Sequence, residues 1–160
     1  FPPEQVSNLY VGPFDFTLAG TPVSMVSLDE PDFERFPRYA EALAAAETAE
    51  LEPGDALYIP YLWWHAVKSL EPFNVLVNYW WNGAQRTASP HHALMMASLA
   101  LQGLSNEQRA AWRAFFDHYI FRVNGDPLAH LPPEHHGTLG DLAPEQVHQL
   151  KMMLSNALRS

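Results

Sequence analysis

Glu52-Pro53-Gly54-Asp55-Ala56-Leu57-Tyr58-Ile59-Pro60-Tyr61-Leu62-Trp63-Trp64-His65-Ala66-Val67 is the stretch on which the fold turns. Its first four residues pair proline with glycine, which is the chemistry of a tight turn. Ala56–Ile59 then reads as a strand that Pro60 stops, and Trp63–Leu70 reads as the next strand. Strand geometry sends alternate side chains to opposite faces, so Trp63, His65 and Val67 share one face and Trp64 and Ala66 the other. After Glu71-Pro72, Phe73–Trp81 reads as a further strand, with Asn74, Leu76, Asn78 and Trp80 on a common face. Each apolar face is thus interrupted by a polar residue, His65 on one strand and Asn78 on the next. A buried polar group left unpaired costs roughly 1–3 kcal/mol, so both residues need a hydrogen-bond partner or a ligand.

Outward from this stretch the chain changes texture. Residues 1 to 85 hold short extended runs, with Leu9–Val11 and Thr21–Leu28 as further strands and the later part of Asp32–Ala46 as a helix. From residue 88 onward the pattern is helical. Ser89-Pro90 supplies a cap and an N1 proline, and Gly103 ends that helix. Ser105 and Gln108 make a capping box for a helix over 106–122. Residues 127–142 read as a loop, and Ala143-Pro144 opens a last helix through Leu158. The 160 residues are room for one ordinary domain.

Composition removes several classes of function. Nine Lys+Arg against eighteen Asp+Glu give a net charge of −9, with only two lysines. Nucleic-acid affinity rests on clustered basic residues, so neither a nucleic acid nor an anionic membrane is an expected partner. No apolar run reaches the roughly 18 residues of a membrane span. The absence of cysteine excludes disulfides, thiolate zinc sites and cysteine nucleophiles within this chain. Phe1-Pro2-Pro3-Glu4-Gln5 has no signal-peptide pattern, and the expected location is cytoplasmic.

The spacing Gly54-x5-Pro60-x4-His65 resembles the second motif of the cupin superfamily, in which a late-strand histidine ligates a metal. Leu62 stands where that motif usually has glycine, and Ser69 where it has asparagine. Together with FPPEQ at 1–5, DEPDFERFP at 29–37 and VNYWW at 77–81, the text is similar to the JmjC-type, cupin-like Fe(II)/2-oxoglutarate oxygenases. Within these it is most like the asparaginyl hydroxylase that inhibits hypoxia-inducible factor. The resemblance covers residues 1 to about 84. It implies a mainly β architecture, the C-terminal half of a double-stranded β-helix (residues 1–85), followed by a helical region (88–160). It further implies Fe(II) held by a His-x-Asp/Glu…His triad with 2-oxoglutarate beside it. His65 matches the distal histidine, Asn78 an asparagine that holds the co-substrate, and Val67 and Trp80 residues lining its pocket. A lone histidine beside two tryptophans would otherwise read as a core residue.

No His-x-Asp or His-x-Glu occurs among the eight histidines. In the family that pair lies upstream of the FPPEQ-like segment, as does the basic residue facing the 2-oxoglutarate carboxylate. One imidazole does not hold Fe(II), so this stretch by itself is expected to be inactive, with no catalytic residue of its own. The expected partners are the missing N-terminal half of the same protein, a protein or peptide substrate, and a second copy through the C-terminal helices. A half-barrel should expose sheet edges and an apolar face until that half covers them. The competing expectation is a non-catalytic cupin-like binding or dimerisation module. His91-His92 point about 100° apart on a helix, and His135-His136 sit in a loop, so neither pair reads as a metal site.

Overall fold

The structure is a computed structural model that describes residues 1–14, 21–81 and 88–159. The chain divides into two compact units, Phe1–Asn78 and Tyr79–Ser160. The boundary expected at residue 85 lies outside the described residues.

In the first unit Pro2-Pro3 and Glu4 start a single 3-10 turn, Pro3–Ser7, since proline at the first helical positions gives up an amide that has no partner anyway. That turn delivers Leu9 to the core, where it is 2% exposed. An isolated antiparallel bridge joins Val11 to Ser24. The Gly12 amide donates to Val23 O at 2.8 Å and the Met25 amide to Tyr10 O at 3.1 Å. The first helix, α1 (Tyr39–Ala44), is short and alanine-rich. Its Tyr39 and Ala42, three residues apart, lie on one face and are buried. Leu9, Val26, Tyr39 and Ala42 form the core cluster, with Phe1, Phe36, Leu43 and Trp64 packed around it. Arg38 locks the periphery. Its Nη2 donates to Ser7 O at 2.9 Å, its amide donates to the Tyr10 hydroxyl, and its guanidinium lies over the Tyr10 ring.

Among the described residues the second unit holds three α-helices, α2 (Pro90–Leu101), α3 (Asn106–Tyr119) and α4 (Pro144–Ala157). Ser105 and Gln108 form the capping box their spacing implies, the Gln108 amide donating to Ser105 Oγ and Gln108 Oε1 accepting from the Ser105 amide at 2.9 Å. Ser89 occupies the cap position of α2 in extended conformation, but its side chain makes no capping bond. At α4 alanine holds that position, and only the Gln146 half of a box exists, accepting from the Ala143 amide. The loop before α4 carries two 3-10 turns, Pro133–His135 and Gly137–Leu139. Among the described residues no helix is long and apolar enough to cross a membrane.

The mainly β reading is where the structure departs from expectation. Ala56–Ile59, Trp63–Leu70 and Phe73–Trp81 form neither helix nor strand, and the described residues contain no extended strand beyond the Val11–Ser24 bridge. A run of β-forming residues becomes a strand only when a neighbour takes its backbone hydrogen bonds. Along this stretch the described residues form no such ladder. As a result Tyr79 is 82%, Phe73 84% and Val75 76% exposed.

Candidate functional site

Two tight turns bracket the approach to His65. In the first, the Asp55 amide donates to Glu52 O at 3.0 Å, and Asp55 Oδ2 accepts from the Glu52 amide at 2.9 Å. Gly54 has φ +100° at the third position, the left-handed geometry of a type II turn that favours glycine. In the second, the Trp63 amide donates to Pro60 O at 3.2 Å around Tyr61 and Leu62. Leu62 here has φ +63°. The position where the cupin motif usually has glycine is therefore one where glycine would sit without strain, and leucine holds it at a cost on the order of 1–2 kcal/mol. The Leu62 side chain is 65% exposed, so burial does little to offset that cost.

Beyond the second turn the chain is anchored to the core at Trp64. The Trp64 amide donates to Phe1 O at 3.0 Å, and the Phe1 nitrogen donates to Trp64 O at 2.8 Å. Sequence reasoning missed this contact, which spans 63 residues. Phe1 packs in turn beside Tyr39, ring centroids 6.2 Å apart. Further along, Lys68 Nζ reaches Asp29 Oδ1 at 2.6 Å. Both groups are exposed, so this ion pair contributes at most a fraction of a kcal/mol. Trp64 and Lys68, four apart, thus engage the body of the unit, and on an extended chain His65 and Val67 belong to the other face.

His65 lies in an exposed position, with Nδ1 3.2 Å from the Trp63 carbonyl oxygen. A carbonyl can only accept, so in this contact Nδ1 carries the hydrogen. That is the arrangement of a metal-ligating histidine steadied by a backbone carbonyl. Val67 is 70% exposed two residues on. Asn78 is exposed and closes the first unit, and Trp80, 82% exposed, lies in the second. The expectation that His65 and Asn78 face an interior is not met here, because without paired strands there is no interior for them to face. Ser69, at the asparagine position of the motif, accepts from Asn74 Nδ2 at 2.5 Å and donates to Glu71 O at 2.7 Å, tying off the Glu71-Pro72 connection.

Fe(II) would need more than these residues offer. No group of three or more His, Asp or Glu side chains among the described residues could hold a metal ion. His65 fits the role of one ligand, and the described residues do not complete a site. His136, in the loop before α4, turns its Nε2 toward Leu131 O at 3.0 Å, a structural contact.

Residues 1–87 match the model of the cupin-like domain family. Human HSPB1-associated protein 1 is 36% identical over 80 residues, 50% of this chain and 16% of that protein. Chicken tRNA wybutosine-synthesizing protein 5 is 38% identical over 81 residues, 51% of this chain and 22% of its own length. Lysine-specific demethylase JMJ31 of Arabidopsis thaliana is 33% identical over 92 residues, 58% of this chain and 16% of its own. The matched part is thus about a fifth or less of each of these proteins. No solved structure matches the chain.

Proposed function

This chain belongs to the cupin-like domain family, and we propose that it contributes the distal iron ligand, His65, to a JmjC-type Fe(II)- and 2-oxoglutarate-dependent oxygenase. The observation that carries the reading is the His65 imidazole itself. It follows two turns at the motif's spacing, with Nδ1 against a backbone carbonyl, as a metal-ligating histidine is commonly steadied. Asn78 is proposed to hydrogen-bond the 2-oxoglutarate, and Val67 and Trp80 to shape its pocket. These roles come from the resemblance. They require the upstream half of the protein, which supplies the His-x-Asp/Glu pair and the strands against which 56–81 pair.

The reaction class proposed is hydroxylation of a protein or peptide side chain, as in the asparaginyl hydroxylase to which the motifs are similar. The relatives' own names, a lysine-specific demethylase and a tRNA wybutosine-synthesizing protein among them, point to different substrates. The acidic balance of this chain favours a peptide over a nucleic acid. Exposed Trp112, Phe115 and Tyr119 on α3 support a homodimer through the C-terminal helices.

The test is turnover of 2-oxoglutarate to succinate by the protein made from the complete coding sequence, with Fe(II) and oxygen supplied. His65→Ala is expected to abolish both turnover and Fe(II) binding. If the parental protein binds no Fe(II), or if the variant retains it, the oxygenase reading falls. The non-catalytic cupin-like module then remains.

A further inference from the structure

Helix α2 opens Pro90-His91-His92-Ala93-Leu94-Met95-Met96 and contains no Asp, Glu, Lys or Arg over its whole length. Its two histidines diverge by about 100° around the axis and do not chelate as a pair. The methionines one turn on converge on one of them. At about 100° per residue, Met95 lies about 60° to one side of His92 and Met96 about 40° to the other. Residues three and four apart on a helix are neighbours, with about 5–6 Å between Cβ atoms. Long side chains also lean toward the helix N-terminus, so both thioethers reach back over the turn that carries His92. His92 is exposed, and Met95 and Met96 are 48% and 38% exposed, so these donors are open to an incoming ion. His91, its ring centroid 6.4 Å from that of His92, stands one turn before Met95 at the rim.

We propose that His92, Met95 and Met96 form a site for one cuprous ion, held by the imidazole nitrogen and the two thioether sulfurs. The donor set selects the metal. Thioether sulfur is a soft ligand that favours Cu(I), and imidazole suits copper equally. Calcium and magnesium need oxygen donors, and a structural zinc site needs four ligands drawn from thiolate, imidazole and carboxylate. No carboxylate stands in α2 to offset a second positive charge. The partial positive charge at a helix start also opposes a divalent cation more than a monovalent one. Helix α4 supplies the contrast. His148 has a methionine, Met152, four residues on, but Lys151 holds the third position, so an ammonium stands where α2 has its second sulfur. A face made only for packing would be served as well by leucine. Leucine in place of methionine keeps the volume and the helix and removes the sulfur, so it separates the two roles. The site uses none of the residues assigned to iron or 2-oxoglutarate.

The test adds Cu(I) anaerobically, from a bathocuproine disulfonate buffer, to the protein made from the complete coding sequence with isotope-labelled methionine methyls. The Met95 and Met96 methyl resonances are expected to shift together as one ion binds. Even the loss of a group that steadies a metal ligand costs roughly 10–100-fold in affinity, so Met95→Leu and Met96→Leu should each weaken this site at least about tenfold. His92→Ala should abolish both methyl shifts with the α2 backbone resonances still helical, and Met152→Leu should leave them as they are. Methyls that do not respond to Cu(I), shifts that survive His92→Ala, or leucine variants that bind as tightly as the parent overturn the site. If His92→Ala unfolds α2, the leucine variants decide alone. Tighter binding of Zn(II) than of Cu(I) at these methyls overturns the choice of ion. His65→Ala should leave the Cu(I) response intact, so failure of the oxygenase reading and failure of this site are read separately.

Discussion

Residues 63–81 and the helices α2 to α4 expose much the same kind of apolar side chain, yet only the helices have regular secondary structure. A helix closes its hydrogen bonds on itself, so Pro90–Leu101, Asn106–Tyr119 and Pro144–Ala157 are complete as backbone whatever covers their side chains. A strand's hydrogen bonds belong half to a neighbour, and 63–81 forms no ladder among the described residues, though Trp64 exchanges hydrogen bonds with Phe1. The difference teaches where stability lies in this chain. In the first unit it is tertiary and concentrated in the four buried side chains of the Leu9 cluster. In the second it is largely local.

The largest expected effect follows from that contrast. Leu9→Ala truncates a fully buried side chain of the core cluster and should destabilise the first unit by about 3 kcal/mol, the range of core leucine truncations. Leu99→Ala on α2, at 61% exposure, should change stability by no more than about 0.5 kcal/mol. Hydrogen exchange resolved along the chain during denaturant titration separates the units. Equal effects of the two substitutions would break the comparison.

Next comes the cap. Ser105→Ala deletes the oxygen that accepts from the Gln108 amide and should weaken α3 by about 1 kcal/mol, leaving the first unit untouched. Far-UV circular dichroism of the melting transition measures it. This feature was legible in the sequence because a capping box is written within four residues, as was the Glu52–Asp55 turn. The Phe1–Trp64 contact was not. It joins residues 63 positions apart, and neither carries a local mark of the other. The β reading of 56–81 rested on side-chain alternation, which encodes a preference for pairing but not the partner. Of the candidate site, the His65 motif was legible, while the Trp63 carbonyl beside its Nδ1 emerged only from the geometry.

Leu62→Gly probes a smaller effect. Relief of the left-handed strain at φ +63° is worth on the order of 1–2 kcal/mol, and the added freedom of glycine in the unfolded chain takes back roughly 0.5–1. A net gain of a few tenths to about 1 kcal/mol in the first unit is expected by denaturant titration. Gly54→Ala, at φ +100° in the preceding turn, should go the other way. A stabilising Gly54→Ala would mean that these turns do not have the geometry described.

The smallest effect separates the units by pH. Glu107, at the start of α3, is held below the ordinary glutamate value of 4.5, first by the Ser105 hydroxyl donating to Oε2 at 2.7 Å and then by a hydrogen bond from its own amide, against a small opposing cost of desolvation. A carboxyl whose folded value is depressed contributes stability that is present above the unfolded value and disappears as pH falls through the folded one. Helix α3 should therefore lose a little stability on acidification from neutral pH through 4.5 and below. The direction also follows from the helix dipole, which favours a negative charge in the first turn. The loss stays small because Glu107 is fully exposed, and water and salt replace what the hydroxyl gives up. The capping bond from the Gln108 amide to Ser105 Oγ is independent of the carboxyl's charge and persists throughout. Glu107→Gln should flatten the acid slope of α3, measured by hydrogen exchange in that helix, and leave the slope of the first unit as it was. An acid slope in α3 that survives the substitution would assign it to other carboxylates and remove this distinction between the two regions.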